Sequence, residues 1–221
     1  MNLILISNIF TCVCAFAGFM FGALKFFAPK KAVYAQMITL AAGCMAFGRL
    51  YQVVRILTGG EILTEFQLGV LGVIGSLIFL FSANFGLMDS LADDKSKEYL
   101  KYRIIPLAAP AVMAAVYAAA ILFAQTPLLM KIVGGVITLA ASGASYYNLK
   151  HLIFPDVDFG VIKCLKLYNL LALVYEFTCI AEMVFNRSEN GVAAMVTGVI
   201  LGAVLLAITP AVERGMKKWT T

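Results

Sequence analysis

Val192-Ala-Ala-Met-Val-Thr-Gly-Val-Ile-Leu-Gly-Ala-Val-Leu-Leu-Ala-Ile-Thr-Pro-Ala-Val212 is a run of 21 residues with no ionisable side chain. Wound as a helix at 1.5 Å per residue it reaches about 30 Å, the depth of a bilayer's hydrocarbon core. The whole chain shares this character: 221 residues, 62% hydrophobic, 13% charged, mean hydropathy +0.93. A soluble domain carries roughly 25% charged residues, so an ordinary soluble fold is excluded. Disorder is excluded too, because so apolar a chain buries more surface than the ordering of its backbone costs.

Six apolar segments precede that run, at about 2–24, 32–57, 67–91, 104–124, 128–149 and 163–185. None alternates apolar and polar residues as a membrane β-barrel strand does. Backbone groups in hydrocarbon must be paired within their own segment, so the runs are helices despite their glycines. The expected fold is an all-α, polytopic bundle of seven transmembrane helices. It forms one domain over residues 1–221 and ends in a short basic tail at 213–221.

Orientation follows from the cations, which short loops retain on the cytoplasmic side. Lys25, Lys30, Lys31, Lys95, Lys97, Lys101, Arg103, Lys150, Lys163, Lys166, Arg214, Lys217 and Lys218 fall at one set of segment junctions; Arg55, Lys131 and Arg187 fall at the other. The N-terminus is therefore expected outside and the C-terminus in the cytoplasm. No basic stretch precedes the first segment, the reverse of a cleavable signal peptide, so it reads as a retained helix. The net charge of +5 is an orientation signal and calls for no nucleic acid.

Cys12, Cys14, Cys44, Cys164 and Cys179 lie in apolar helices or beside their cytoplasmic ends. That placement suits neither a disulfide framework nor paired zinc ligands, and no cofactor or metal is expected. Gly18-x-x-x-Gly22 and Gly198-x-x-x-Gly202, with Gly69, Gly72 and Gly75 beside Ser76, allow close helix packing within one chain or between chains. Pro106 and Pro110 should loosen the start of the fourth helix. Asn186-Arg-Ser188 fits a glycosylation acceptor but is discounted as a short match close to the membrane.

Ionisable groups at membrane depth are costly and need a partner or a wet cavity. Arg49 lies about 17 residues into helix two, and Glu176 and Glu182 about 13 and 19 into helix six, which puts their depths within roughly 6 Å. Arg49, Gln52, Tyr175, Glu176 and Glu182 thus form a candidate ligand or ion-pair layer, with Arg49 paired to one of the glutamates. Helix six carries two polar stripes, Asn169/Glu176/Met183 and Tyr175/Thr178/Glu182, and two stripes imply more than one neighbour. A second cluster is expected nearer the cytoplasm from Asn84, Asp89, Tyr147, Tyr168 and Asn169, with Ser145 and Asn148 close by. Two connectors carry charge: 89–103, where Asp93 is paired with Lys97 at helical spacing, and 150–163, where the lone His151 reads as an interfacial anchor.

A single histidine rules against haem spanning two helices and against zinc hydrolysis, and no nucleophile elbow or phosphate loop appears. The topology is shared with rhodopsins and with seven-helix sugar transporters, but helix seven has no lysine and the proline motifs of the latter are missing. The preferred reading is a transporter or channel for a small polar or cationic solute. A heptahelical receptor or signalling module acting through a separate cytoplasmic protein is open, as is a membrane-anchor or assembly subunit; an enzyme is the least supported. Expected partners are the lipid bilayer, a small polar solute, helices of a homo- or hetero-oligomer, and a cytoplasmic protein at 89–103 and 150–163. The compact form suits a bacterial cytoplasmic (inner) membrane.

Overall fold

A computed structural model of the chain describes residues 3–27, 29, 32–59, 68–85, 89, 93, 95–123, 127–155, 161–185 and 191–220. Among them every regular element is helical. The main helices are α1 (Leu3–Gly22), α2 (Val33–Leu57), α3 (Gly69–Asn84), α4 (Ala108–Phe123), α5 (Leu128–Ile153), α6 (Val161–Phe185) and α7 (Gly191–Thr220). Six stretches are long and apolar enough to cross a membrane: Leu3–Phe27, Val33–Leu57, Lys97–Leu122, Leu128–Ile153, Cys164–Val184 and Gly191–Lys218; α3 is shorter.

Local chemistry sets the ends. α1 loosens into a π-helical turn over Ala23–Phe27. α2 stops at Thr58 and Gly59, whose φ of +79° is open to glycine at no steric cost. Phe154, which precedes Pro155, is extended and ends α5, because the proline ring disfavours helical geometry in the residue before it. Pro106 sits in a 3-10 turn, Ile105–Leu107, that leads into α4. Two boundaries differ from the sequence reading. α3 ends at Asn84 rather than near 91, and the stretch expected as a tail continues α7 to Thr220, since a solvated helix end carries no hydropathy signal.

Six helices close a ring in the order α1, α2, α3, α5, α6, α7, and α4 stands outside it against α5. α1 and α7 run parallel and are joined by hydroxyls: Ser7 Oγ donates to the Ala194 carbonyl (2.7 Å), Thr11 Oγ1 to that of Gly198 (3.0 Å) and Thr209 Oγ1 to that of Gly18 (3.0 Å). α2 and α3 cross backbone to backbone. A Cβ added to Gly72 would lie 2.5 Å from the Cys44 carbonyl oxygen and 2.6 Å from Gly48 Cα. The glycine pairs of α1 and α7 likewise face Leu205, Thr39, Ser7 and Phe10 of this same chain. The ring's outside is apolar, with Leu122 and Leu139 exposed to 79% and 76%, while Ser7, Thr11, Arg49, Ser76, Asn84, Asn148, Glu176 and Glu182 are buried. Polar groups inside and large aliphatic groups outside invert the usual arrangement of a soluble protein.

Candidate functional site

Three polar layers run through the bundle, and α6 contributes to the first two. In the first, Arg49 of α2 forms an ion pair with Glu182 of α6 through Nη2. Its Nη1 donates to Asn8 Oδ1 of α1 (2.9 Å) and to Gln52 Oε1 one turn along α2 (3.2 Å). Arg49 is 3% exposed and Glu182 7%, so the pair is held away from solvent. The Arg49 Nε is buried without a hydrogen-bond partner. Charge in this layer is balanced one to one, which suits a structural tie between α1, α2 and α6.

Tyr175 does not reach that layer by hydrogen bonding. Its hydroxyl lies 2.6 Å from Ser76 Oγ and ties α6 to α3. Thr178 bonds back to the Val174 carbonyl of its own helix (2.6 Å).

The second layer is built on the other stripe of α6. Asn148 Nδ2 of α5 donates to Glu176 Oε1 (2.6 Å), and Asn84 Nδ2 of α3 donates to Asn148 Oδ1 (2.7 Å) and to the Tyr168 hydroxyl (3.1 Å). Glu176, grouped with Arg49 by depth, belongs here: its place around the helix axis turns it toward α5 instead of α2. It is 0% exposed, and its Oε2 has no partner. Asn169, two helical turns before it, is 1% exposed and its Oδ1 is likewise unpartnered. Tyr147 is not in this network; it packs edge-on against Phe81, Phe85 and Tyr146.

The third layer closes the end where α3 and α5 finish. Lys150 Nζ donates to Asp89 Oδ1 (2.6 Å) and lies 2.8 Å from Asp93 Oδ2. Arg103 Nε donates to Asp93 Oδ2 (2.7 Å), and the Lys95 backbone N–H donates to Asp93 Oδ1 (2.9 Å). Asp93 therefore pairs with Arg103 and Lys150 rather than with Lys97, because no regular helix runs from 93 to 97 to set that spacing. His151, read as an interfacial anchor, is buried at 3%, with Nε2 unpartnered and 3.4 Å from Asp89 Oδ1.

The Arg103 guanidinium, outweighing burial and helped by Lys150 and the Lys95 amide, holds the Asp93 carboxyl well below the usual carboxylate range. Burial pushes the Asp89 carboxyl up, but contacts from His151 and Lys150 bring it below its ordinary value. At Asp89 and Asp93 the 89–103 connector is thus tied by ion pairs to Lys150 of α5 and to Arg103. Residues 156–160 of the other connector, and Asn186-Arg-Ser188, lie outside the described residues.

Two partners were not singled out by sequence as site residues, Asn8 and Ser76, whereas Asn148, expected close by the inner cluster, is at its centre. Each is a hydrogen-bonding side chain inside an apolar helix, and the cost that marks ionisable groups at depth applies, on a smaller scale, to amides and hydroxyls. Among the described residues no group of three or more His, Cys, Asp or Glu is placed to hold a metal ion, and all five cysteines are free. The chain matches no protein-family model, no curated protein and no solved structure.

Proposed function

We propose that this chain is an integral membrane protein that carries a small polar or cationic solute through the ring of α1, α2, α3, α5, α6 and α7. The observation that carries the reading is the stack of polar layers on the inside of a bundle whose outside is aliphatic. Such buried polar groups cost free energy in a bilayer and mark substrate or ion pathways.

All seven helices cross, with the N-terminus outside. α3 has 16 residues, about 24 Å, a little short of the roughly 30 Å hydrocarbon core. Counting it as a crossing puts the basic junctions at one end, a reading supported by Lys25 lying 3.7 Å from Glu213 and Lys150 lying 2.6 Å from Asp89. That end faces the cytoplasm by the distribution of Lys and Arg. The glycine motifs are used on the ring's own seams, so they lend little to an assembly-subunit reading.

The test is uptake by proteoliposomes of a radiolabelled panel: a primary alkylamine, a zwitterionic amino acid, a quaternary ammonium and a neutral polyol. Saturable uptake of at least one above protein-free vesicles is expected. Rates equal to those of empty vesicles for the whole panel would sink the reading.

A further inference from the structure

Glu176 sets itself apart from every other buried acid described. Glu182 has Arg49, Asp89 has Lys150, and Asp93 has Arg103 and Lys150, whereas no ion pair among the described residues reaches Glu176. The groups that face it are neutral: Asn148 of α5 directly, Asn84 of α3 through Asn148, and Tyr168 and Cys179 on its own helix. Its carboxyl receives one hydrogen bond, at Oε1, and Oε2 receives none.

A buried carboxylate with a single amide donor and no cation beside it is an uncompensated charge, which neither protein interiors nor bilayers tolerate cheaply. Uptake of one proton removes that charge and turns Oε2 from an orphan acceptor into a donor.

A second observation gives the site a direction. Buried polar atoms without partners are few in folded proteins and point to water. Here Glu176 Oε2 and Asn169 Oδ1 are two such atoms, while His151 Nε2 faces the Asp89 carboxylate at 3.4 Å. They flank the Asn84, Asn148 and Tyr168 cluster. Asn169 lies two turns from Glu176 toward the start of α6, and His151 one turn beyond Asn148 toward the end of α5. Asn169 and His151 therefore both fall between Glu176 and the basic end of the bundle.

We propose that Glu176 is a proton-binding site inside the ring, exchanging its proton with the basic end past Asn169 and His151. The proposal rests on the transport reading only for its purpose: the bound proton would be the ion coupled to solute movement. As a binding site it stands or falls separately.

The probe is dicyclohexylcarbodiimide, which modifies protonated carboxyls in apolar surroundings, applied to the purified wild-type protein with the adduct located by peptide mass spectrometry. The expected result is an adduct on the peptide containing Glu176 that declines steadily as pH is raised and is unchanged by sodium chloride at fixed pH. The Glu176→Gln variant should lose the infrared carboxyl C=O band that responds to pH, and Glu176→Asp should keep a shifted one.

An adduct that is absent, or equal at every pH, overturns the proposal. Protection by sodium ions overturns it in favour of an alkali-cation site. Uptake of a panel solute without a titrating Glu176 would leave transport standing and remove the proton site; a titrating Glu176 in a protein that moves no solute would do the reverse.

Discussion

Replacing Arg49 and Glu182 singly and together separates a structural tie from a working charge. Arg49→Met strands the Glu182 carboxylate at 7% exposure and leaves Asn8 Oδ1, 2.9 Å from the lost guanidinium, without its donor. Glu182→Leu strands the guanidinium in the same way. Breaking a buried pair from one side costs about 3–5 kcal/mol, because the remaining charge has nothing to offset its desolvation. The double variant removes both charges and leaves only the Asn8 and Gln52 acceptors unpaired, a loss of about 1–3 kcal/mol.

Added independently, the single losses come to roughly 6–10 kcal/mol, so a coupling of at least about 3 kcal/mol is expected. With a melting shift of roughly 2–4 °C per kcal/mol for a chain of this size, each single variant should melt roughly 6–20 °C low and the double variant should recover much of that. The assay is thermal unfolding in detergent micelles, followed by a thiol-reactive dye that reports exposure of the buried Cys14 and Cys179. Lys217→Ala, at a side chain 68% exposed, is the control. Singles no worse than that control, or a double variant as unstable as the sum of the singles, would refute the reasoning.

Other outcomes follow from the remaining layers. Asp93→Asn should cost about 3 kcal/mol at neutral pH by breaking the pairs to Arg103 and Lys150. The folded carboxyl is held below its unfolded value of about 3.9, so its contribution is complete above that pH and is lost as pH falls further. Melting curves across an acid series should show the gap between wild type and variant constant above about pH 4 and closing below it. Gly72→Ala must push α2 from α3 and should cost about 1–3 kcal/mol, whereas Gly135→Ala, whose added Cβ meets only the end of the Tyr117 side chain, nearest at the hydroxyl (3.2 Å), should be milder in the same melt. Tyr175→Phe should cost about 1 kcal/mol, with Ser76→Ala adding almost nothing on that background, as a double-mutant cycle would measure.

Hydropathy made the helices legible, and their charged ends less so. Long apolar runs such as 32–57 and 128–149 announce themselves by composition alone, but the last turns of α7 are charged and read as a tail. The two stripes of α6 correctly implied separate neighbours: α5 at Glu176, and α3 and α2 at Tyr175 and Glu182. Depth alone left the partner of Arg49 open between Glu176 and Glu182, because it says nothing about rotation around the helix axis. That rotation is set by contacts such as the Gly48 and Gly72 crossing, which belong to tertiary packing. Spacing rules failed for Asp93 since they presuppose a helix there, and His151 looked interfacial because nothing in sequence places Asp89 beside it.

The parallel seam between α1 and α7 bears on how the protein is made. Ser7 and its acceptor at Ala194 are separated by 187 residues, and so are Thr11 and Gly198. At a synthesis rate of about 5–20 residues per second, roughly 10–40 s pass between the emergence of the two sides. During that interval the hydroxyl-bearing face of α1 has no mate. Thr11 has a stopgap, since its hydroxyl also reaches the Ser7 carbonyl at 2.9 Å within its own helix; Ser7 has only the distant acceptor described. The ring thus stays an open horseshoe until its last stave arrives. A nascent chain arrested before α7 would carry that hydroxyl-bearing face without the carbonyls that receive it in the finished ring.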